Sequence, residues 1–185
     1  CEEGGLNMFF ELPMKRLVVL RPDQLHKGIY LNVSILTQLI EDVKSWKCSE
    51  DHGYYITPTT LGSIGEGKVR CLTGMVSFPL EFGCIVFKPF KGEILEGEVK
   101  QVSKRGCYIT AGPLEDIFVH VSMMEGYEHE SGANVEFPRF THADGSVIEI
   151  GTKLRFKIVG IKWIEEQRDF KALGTINEDF LGPIE

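Results

Sequence analysis

Residues 62–68 read Gly-Ser-Ile-Gly-Glu-Gly-Lys, the glycine and lysine spacing of a phosphate-binding loop. Such a loop needs a Ser or Thr directly after the lysine to hold magnesium, and a helix whose first amides face the phosphates. Val69 follows instead, and Val69-Arg70-Cys71-Leu72 has the composition of a strand. Nucleotide hydrolysis fails on both counts. There is also no Gly-x-Ser-x-Gly elbow and no His-Glu-x-x-His. The histidines His26, His52, His120, His129 and His142 lack ligand spacing, and Glu128-His129-Glu130 is an acidic turn suited to solvent. The cysteines Cys1, Cys48, Cys71, Cys84 and Cys107 are dispersed, with no Cys-x-x-Cys pair. That pattern speaks for reduced thiols inside a cell and against a zinc site. The chain reads as a protein with no catalytic residues, no metal and no cofactor.

A binding constellation lies further on. In Cys107-Tyr108-Ile109-Thr110, strand alternation sends Tyr108 to the face opposite Cys107 and Ile109. In Ile117-Phe118-Val119-His120-Val121 the aliphatics share one face, and Phe118 and His120 the other. If the aliphatics fill a barrel, Tyr108, Phe118 and His120 lie outside it. An outward aromatic pair with a histidine is a stacking platform for unpaired bases. Lys100, Lys104 and Arg105 are placed to hold phosphates. The competing reading packs Phe118 beneath a long loop that follows.

Positioning those rings requires short strands. From Gly92 onward the sequence shows five of them, at 93–102, 106–111, 116–121, 153–164 and 170–176, separated by glycine turns. That pattern predicts a small closed barrel of the OB type. The connection from Met123 to Gly151 is long and polar, an elaborated or mobile loop. The first half differs. Residues 9–20 predict a strand weakened at Pro13. Ile35, Leu36, Leu39, Ile40 and Val43 recur at helical spacing, predicting a helix over about 32–46 capped by Asn32 or Ser34. Tyr54–Thr57 predicts a short strand. A glycine-rich loop then runs from Gly62 to Gly74, before a largely apolar segment, Met75 to Phe90. About 80 residues can hardly cover that segment, which predicts a stable partner. The expected class is α+β, with an N-terminal tip domain over 8–87 and an OB barrel over 88–185. Residues 1–7, preceding Met8, are set apart as an extension or cloning remnant without the features of a secretory signal.

The net charge of −7 argues against a generic nucleic-acid binder. Its distribution matters more. Residues 115–151 hold eight acids and one base, Arg139, whereas 153–171 hold six bases, Lys153, Arg155, Lys157, Lys162, Arg168 and Lys171, against three acids. A local basic strip survives the acidic average. No apolar run approaches the roughly 18–20 residues needed to span a bilayer.

Phe82-Gly-Cys-Ile-Val-Phe-Lys-Pro-Phe-Lys-Gly-Glu93 resembles the junction segment of the RNA polymerase subunit 7 family, which extends to an archaeal counterpart. Ile64-Gly-Glu-Gly-Lys68, Met8-Phe9-Phe10 and Asp179-Phe-Leu-Gly182 fit the same family, so the resemblance covers residues 8–185. Ile161–Phe170 and Leu181-Gly-Pro183 look more like the versions in plant polymerases IV and V. The resemblance implies a ribonucleoprotein-like tip domain, an OB-fold domain, and a heterodimer with polymerase subunit 4. It further implies a nuclear stalk subunit whose glycine-rich loop (Gly62, Ile64, Gly65, Gly67, Gly74) docks on the polymerase core. The barrel face then meets nascent single-stranded RNA. Two departures stand out: Arg105 replaces the aromatic often found before the turn glycine, and no acid-to-arginine pair is evident over 164–171. A free OB-fold RNA-binding factor of translation or decay is the alternative reading.

Overall fold

The computed structural model describes residues 8–132 and 135–184, and the proposed extension 1–7 lies outside them. The chain forms two compact units, one ending at Lys88 and one running from Pro89.

In the first unit, β1 (Phe9–Leu20) leads to α1 (Ile29–Trp46), and β2 (Cys48–Ser49) to β3 (Gly53–Ile64). β4 (Lys68–Val69) and β5 (Val76–Phe87) complete it. The antiparallel sheet has the order β1-β5-β3-β2, and β4 also pairs with β5. Pro13 is tolerated because β1 is an edge strand, where a missing N–H is not needed on the outer side. α1 covers one face of the sheet, burying Ile35, Leu39 and Val43 at successive i+4 positions.

Several expectations change here. The helix starts at Ile29 behind Gly28, whose φ of 63° ends the preceding turn. Asn32 and Ser34 are inside the helix, and Ser34 Oγ donates to the Tyr30 carbonyl. Leu36 and Ile40 are exposed, so the buried stripe is narrower than the sequence spacing predicts. β3 extends to Ile64, turning the start of the glycine-rich stretch into strand. Lys68 belongs to β4 with no helix after it, which removes the phosphate-loop geometry.

The apolar segment is covered within the unit itself. β5 is central, so Val76, Phe78, Leu80, Phe82, Cys84 and Val86 are buried beneath α1 and between β1 and β3. The argument for a partner from that segment falls. Exposed apolar groups are found instead at Ile29, Tyr30 and Val33 on the outer side of α1, and at Val69 and Leu72.

The second unit is a closed barrel. Its strands are β6 (Ile94–Ser103), β7 (Gly106–Ala111), β8 (Leu114–His120), β12 (Lys153–Ile164) and β13 (Asp169–Thr175), each close to its predicted range. They run in the order β13-β8-β7-β6-β12, and β12 pairs β13 to close the ring. β14 (Gly182–Pro183) adds to β12. The connection after β8 is structured: β9 (Tyr127–Gly132), β10 (Val135–His142) and β11 (Val147–Ile148) form a separate small sheet. Met124, Phe140 and Ile148 from this insertion are fully buried, and removing three large apolar side chains from water holds it in place.

The β10–β11 turn carries an acid-sensitive contact. Asp144 accepts from the Ser146 N–H at 2.8 Å and faces His142 Nδ1 at 2.9 Å. Hydrogen bonds from Ser146, then His142, hold its carboxyl at about 2 against an ordinary 3.8. A depressed carboxylate stabilises the folded turn above its unfolded pKa, and that contribution disappears as pH falls through the folded value. Amide protection of Gly145 and Ser146, corrected for intrinsic exchange, is therefore expected to fall from pH ~4 to ~2 ahead of the barrel strands.

Candidate nucleic-acid interface

The platform begins with the turn between β6 and β7. Gly106 has φ 148°, and a Cβ there would meet the Val119 carbonyl oxygen, so glycine alone fits. The two-residue connection Gly112-Pro113, closed by Ala111↔Leu114, joins β7 to β8, whose register sets Tyr108 opposite Phe118 and Gly106 opposite His120. Cys107, Ile109, Ile117 and Val119 point inward and are fully buried, which forces their neighbours outward. Burial pushes the Cys107 thiol up to about 12, leaving it inert as a nucleophile.

The three predicted rings come together on the outer face. Tyr108 and Phe118 lie with ring centroids 4.8 Å apart, and Phe118 and His120 meet edge-to-face at 6.1 Å. Tyr108 is 41% exposed. Phe118 is half-buried, lying between Tyr108, His120 and its parallel partner Leu173. His120 caps the short turn after β8: its Nδ1 accepts from the Ser122 N–H at 3.2 Å and lies 2.8 Å from Ser122 Oγ. These contacts to Ser122 fix the plane of the His120 ring.

The predicted bases are less alike. Lys104 and Arg105 are exposed in the β6–β7 turn, beside His120, and form no ion pair among the described residues. Lys100 sits at a β-bulge of β6 and pairs with Glu98 at 2.8 Å. Three of the six bases in the 153–171 strip are neutralised by acids from elsewhere in the chain. Arg155 binds Glu96 at 2.6 Å, Lys157 binds Glu178 at 2.9 Å, and Lys171 binds Asp116 at 2.9 Å. Surface pairs of this kind add little stability, but they remove charge that would otherwise attract phosphates.

Sequence reasoning missed what lies on the far side of the platform. β8 and β13 pair in parallel, placing Lys171 opposite Asp116 and Leu173 opposite Phe118. β12 then sets Lys162 opposite Lys171 and Gly160 opposite Leu173. Together they line a groove of about 630 Å³ next to Tyr108 and Phe118. Nothing in the local sequence signals this, because the pairing joins strands separated by tens of residues.

The glycine-rich loop also has internal reasons for its composition. A Cβ at Gly65 would strike the Pro79 ring, and one at Gly67 would lie 2.7 Å from the Phe78 ring. At Gly62 it would approach the Glu81 carbonyl oxygen at 2.9 Å. Gly74 takes φ 69° to close the turn, and Ile64 packs against the core. These residues let the chain lie flat on β5. Outward from the same stretch point Val69, Cys71 and Leu72, and Leu72 is fully exposed at φ 81°. Among the described residues no cluster of His, Cys, Asp and Glu could hold a metal ion, and no helix is long and apolar enough to cross a membrane.

Residues 88–163 match the S1 RNA binding domain. The chain is 41% identical over 158 residues to DNA-directed RNA polymerase V subunit 7 of Arabidopsis thaliana, covering 85% of this chain and 87% of that protein. It is 39% identical over 176 residues to the polymerase IV subunit 7 of the same plant, covering 95% and 99%. It is 36% identical over 178 residues to polymerase II subunit RPB7 of Glycine max, covering 96% and 97%. With identity at this level running through both the tip sheet and the barrel, the chain belongs to the DNA-directed RNA polymerase subunit 7 family.

Proposed function

We propose that this protein is a non-catalytic stalk subunit of a nuclear RNA polymerase, of the plant polymerase IV or V type. It forms a heterodimer with subunit 4, docks on the polymerase core through the tip domain, and offers its barrel face to nascent single-stranded RNA. The observation that carries the RNA contact is the outward Tyr108–Phe118 pair at 4.8 Å, held on a barrel whose aliphatics on these two strands point in. Stacked bases need a flat aromatic surface and little else, so such a face accepts any sequence of unpaired bases. Exposed Ile29, Tyr30, Val33, Val69 and Leu72 support protein contacts by the tip domain. Of the five loop residues, the glycines serve that docking by holding the turn against β5.

Fluorescence anisotropy with labelled single-stranded RNA tests the barrel face. Replacing both Lys104 and Arg105 by alanine is expected to flatten the slope of log affinity against log salt by about 1.4, or about 0.7 for each phosphate contact. Lys100→Ala is expected to change the slope less, since Glu98 already pairs with that ammonium. An unchanged slope in the double variant would place the phosphates elsewhere. The free-factor alternative is separated by mass spectrometry: large polymerase subunits and subunit 4 are expected to co-purify with the tagged chain.

A further inference from the structure

The groove beyond Phe118 combines groups that together suit one nucleotide. Its wall is the Tyr108–Phe118 pair, and Leu173, which is 51% exposed, continues that apolar surface. Gly160 leaves it open, since a Cβ at that position meets no atom within 4 Å. Asp116 lines it with a carboxylate that Lys171 engages through a single oxygen, Oδ2, at 2.9 Å. A carboxylate has about four lone-pair positions, so Asp116 retains room for two more donors. Lys162 lies directly opposite Lys171 across β12 and β13. Like charges so placed repel. Asp116 balances one of the two, and Lys162 has no carboxylate partner among the described residues. A bound phosphate would supply the missing anion.

Resting on the reading of the barrel face as an RNA contact, we propose that this groove holds one guanosine nucleotide of the RNA strand. The base lies along Phe118 and Leu173, Asp116 accepts from its edge, and Lys162 faces the phosphate. Guanine is the base chosen because it alone presents two adjacent N–H donors, N1–H and the exocyclic amino group, to a bidentate acceptor. Uracil offers a carboxylate one N–H between two carbonyl acceptors, and cytosine and adenine each offer an amino group beside a ring acceptor. The stacking platform would then bind any base, while the groove beside it imposes a preference at one position.

The test uses the full chain and labelled oligouridine, compared with the same oligomer carrying one central guanosine, adenosine or cytidine. The guanosine oligomer is expected to bind about tenfold tighter than oligouridine, the scale of a bidentate contact to a base edge. Asp116→Asn is expected to bring the guanosine-to-uridine ratio close to one. Gly160→Leu fills the groove from a position with free space and is expected to reduce the same ratio. Should that variant lose its melting transition, Asp116→Asn decides alone. Equal binding of all four oligomers, or a ratio untouched by Asp116→Asn, overturns the guanosine assignment while leaving the RNA-binding face standing. Guanosine monophosphate binding as tightly as the oligomer would make the groove a free-nucleotide site and overturn it too. Loss of polymerase association in Gly160→Leu without any change in RNA binding would assign the groove to a protein. Failure of every oligomer to bind removes both the assignment and the RNA reading beneath it.

Discussion

Gly67→Val is expected to lower the melting temperature of the tip domain by roughly 5–20 °C and, through that, to weaken association with a polymerase core. The Cβ would lie 2.7 Å from the Phe78 ring and 2.9 Å from Val76 Cγ1, both in the buried row of β5. Overpacking of this kind costs about 1–3 kcal/mol, and each kcal/mol moves the transition of a domain this small by about 4–8 °C. Leu72→Asp is the companion variant. Leu72 touches nothing that its loss would disturb, since it is fully exposed at the apex of the turn. A bulky residue held at φ 81° carries strain that local packing does not repay. Leu72→Asp is expected to keep the melting temperature and to lose co-purification with the core. Retained co-purification in a folded Leu72→Asp protein would remove this turn from the docking surface. The pair separates a glycine that shapes the domain from a side chain that meets a partner.

Phe118→Ala is expected to weaken single-stranded RNA binding by about tenfold or more, since stacking on an aromatic contributes about 1–3 kcal/mol per base. Tyr108→Ala should act in the same direction and less than additively, because the two rings share one surface at 4.8 Å. The barrel should stay folded in both, as the rings lie outside the aliphatic core. Phe156 provides the contrast. It is fully buried, and Phe156→Ala should destabilise the barrel by about 3–5 kcal/mol. Circular-dichroism melting alongside anisotropy distinguishes these results. An unfolded Phe118→Ala variant would mean that the ring belongs to the core and that the platform is a packing feature.

The proposed RNA contact asks little of overall charge. At −7 the chain repels nucleic acid on average, and three bases of the strip 153–171 are already paired with acids. On that proposal affinity would rest on stacking and on a few cations near the platform, Lys104, Arg105 and Lys162, that have no acid partner among the described residues. Modest binding would suit the proposed subunit, whose position near an RNA would be set by its attachment to a larger assembly, where effective concentration supplements intrinsic affinity.

Much of the barrel was legible from residue order alone. Alternation along Cys107–Ala111 and Ile117–Val121 decides inside from outside, because a strand's side chains must point to opposite faces. Glycine turns then mark where each strand stops, so five strand ranges and an outward Tyr108–Phe118–His120 set follow without coordinates. Tertiary structure decided which strands lie beside which. The parallel pairing of β8 with β13 brings Asp116 to Lys171, and the β12 register brings Lys162 and Gly160 to the same groove. Alternation cannot supply that, since it fixes a residue's face but not its neighbour across a gap of tens of residues. The same limit explains the tip domain. An apolar run such as Met75–Phe90 reads identically whether a partner or the chain itself covers it, and the central place of β5 in the sheet settles the question. Glycines at 65 and 67 likewise signal close approach in the sequence, while only the fold shows that what approaches is the chain's own β5.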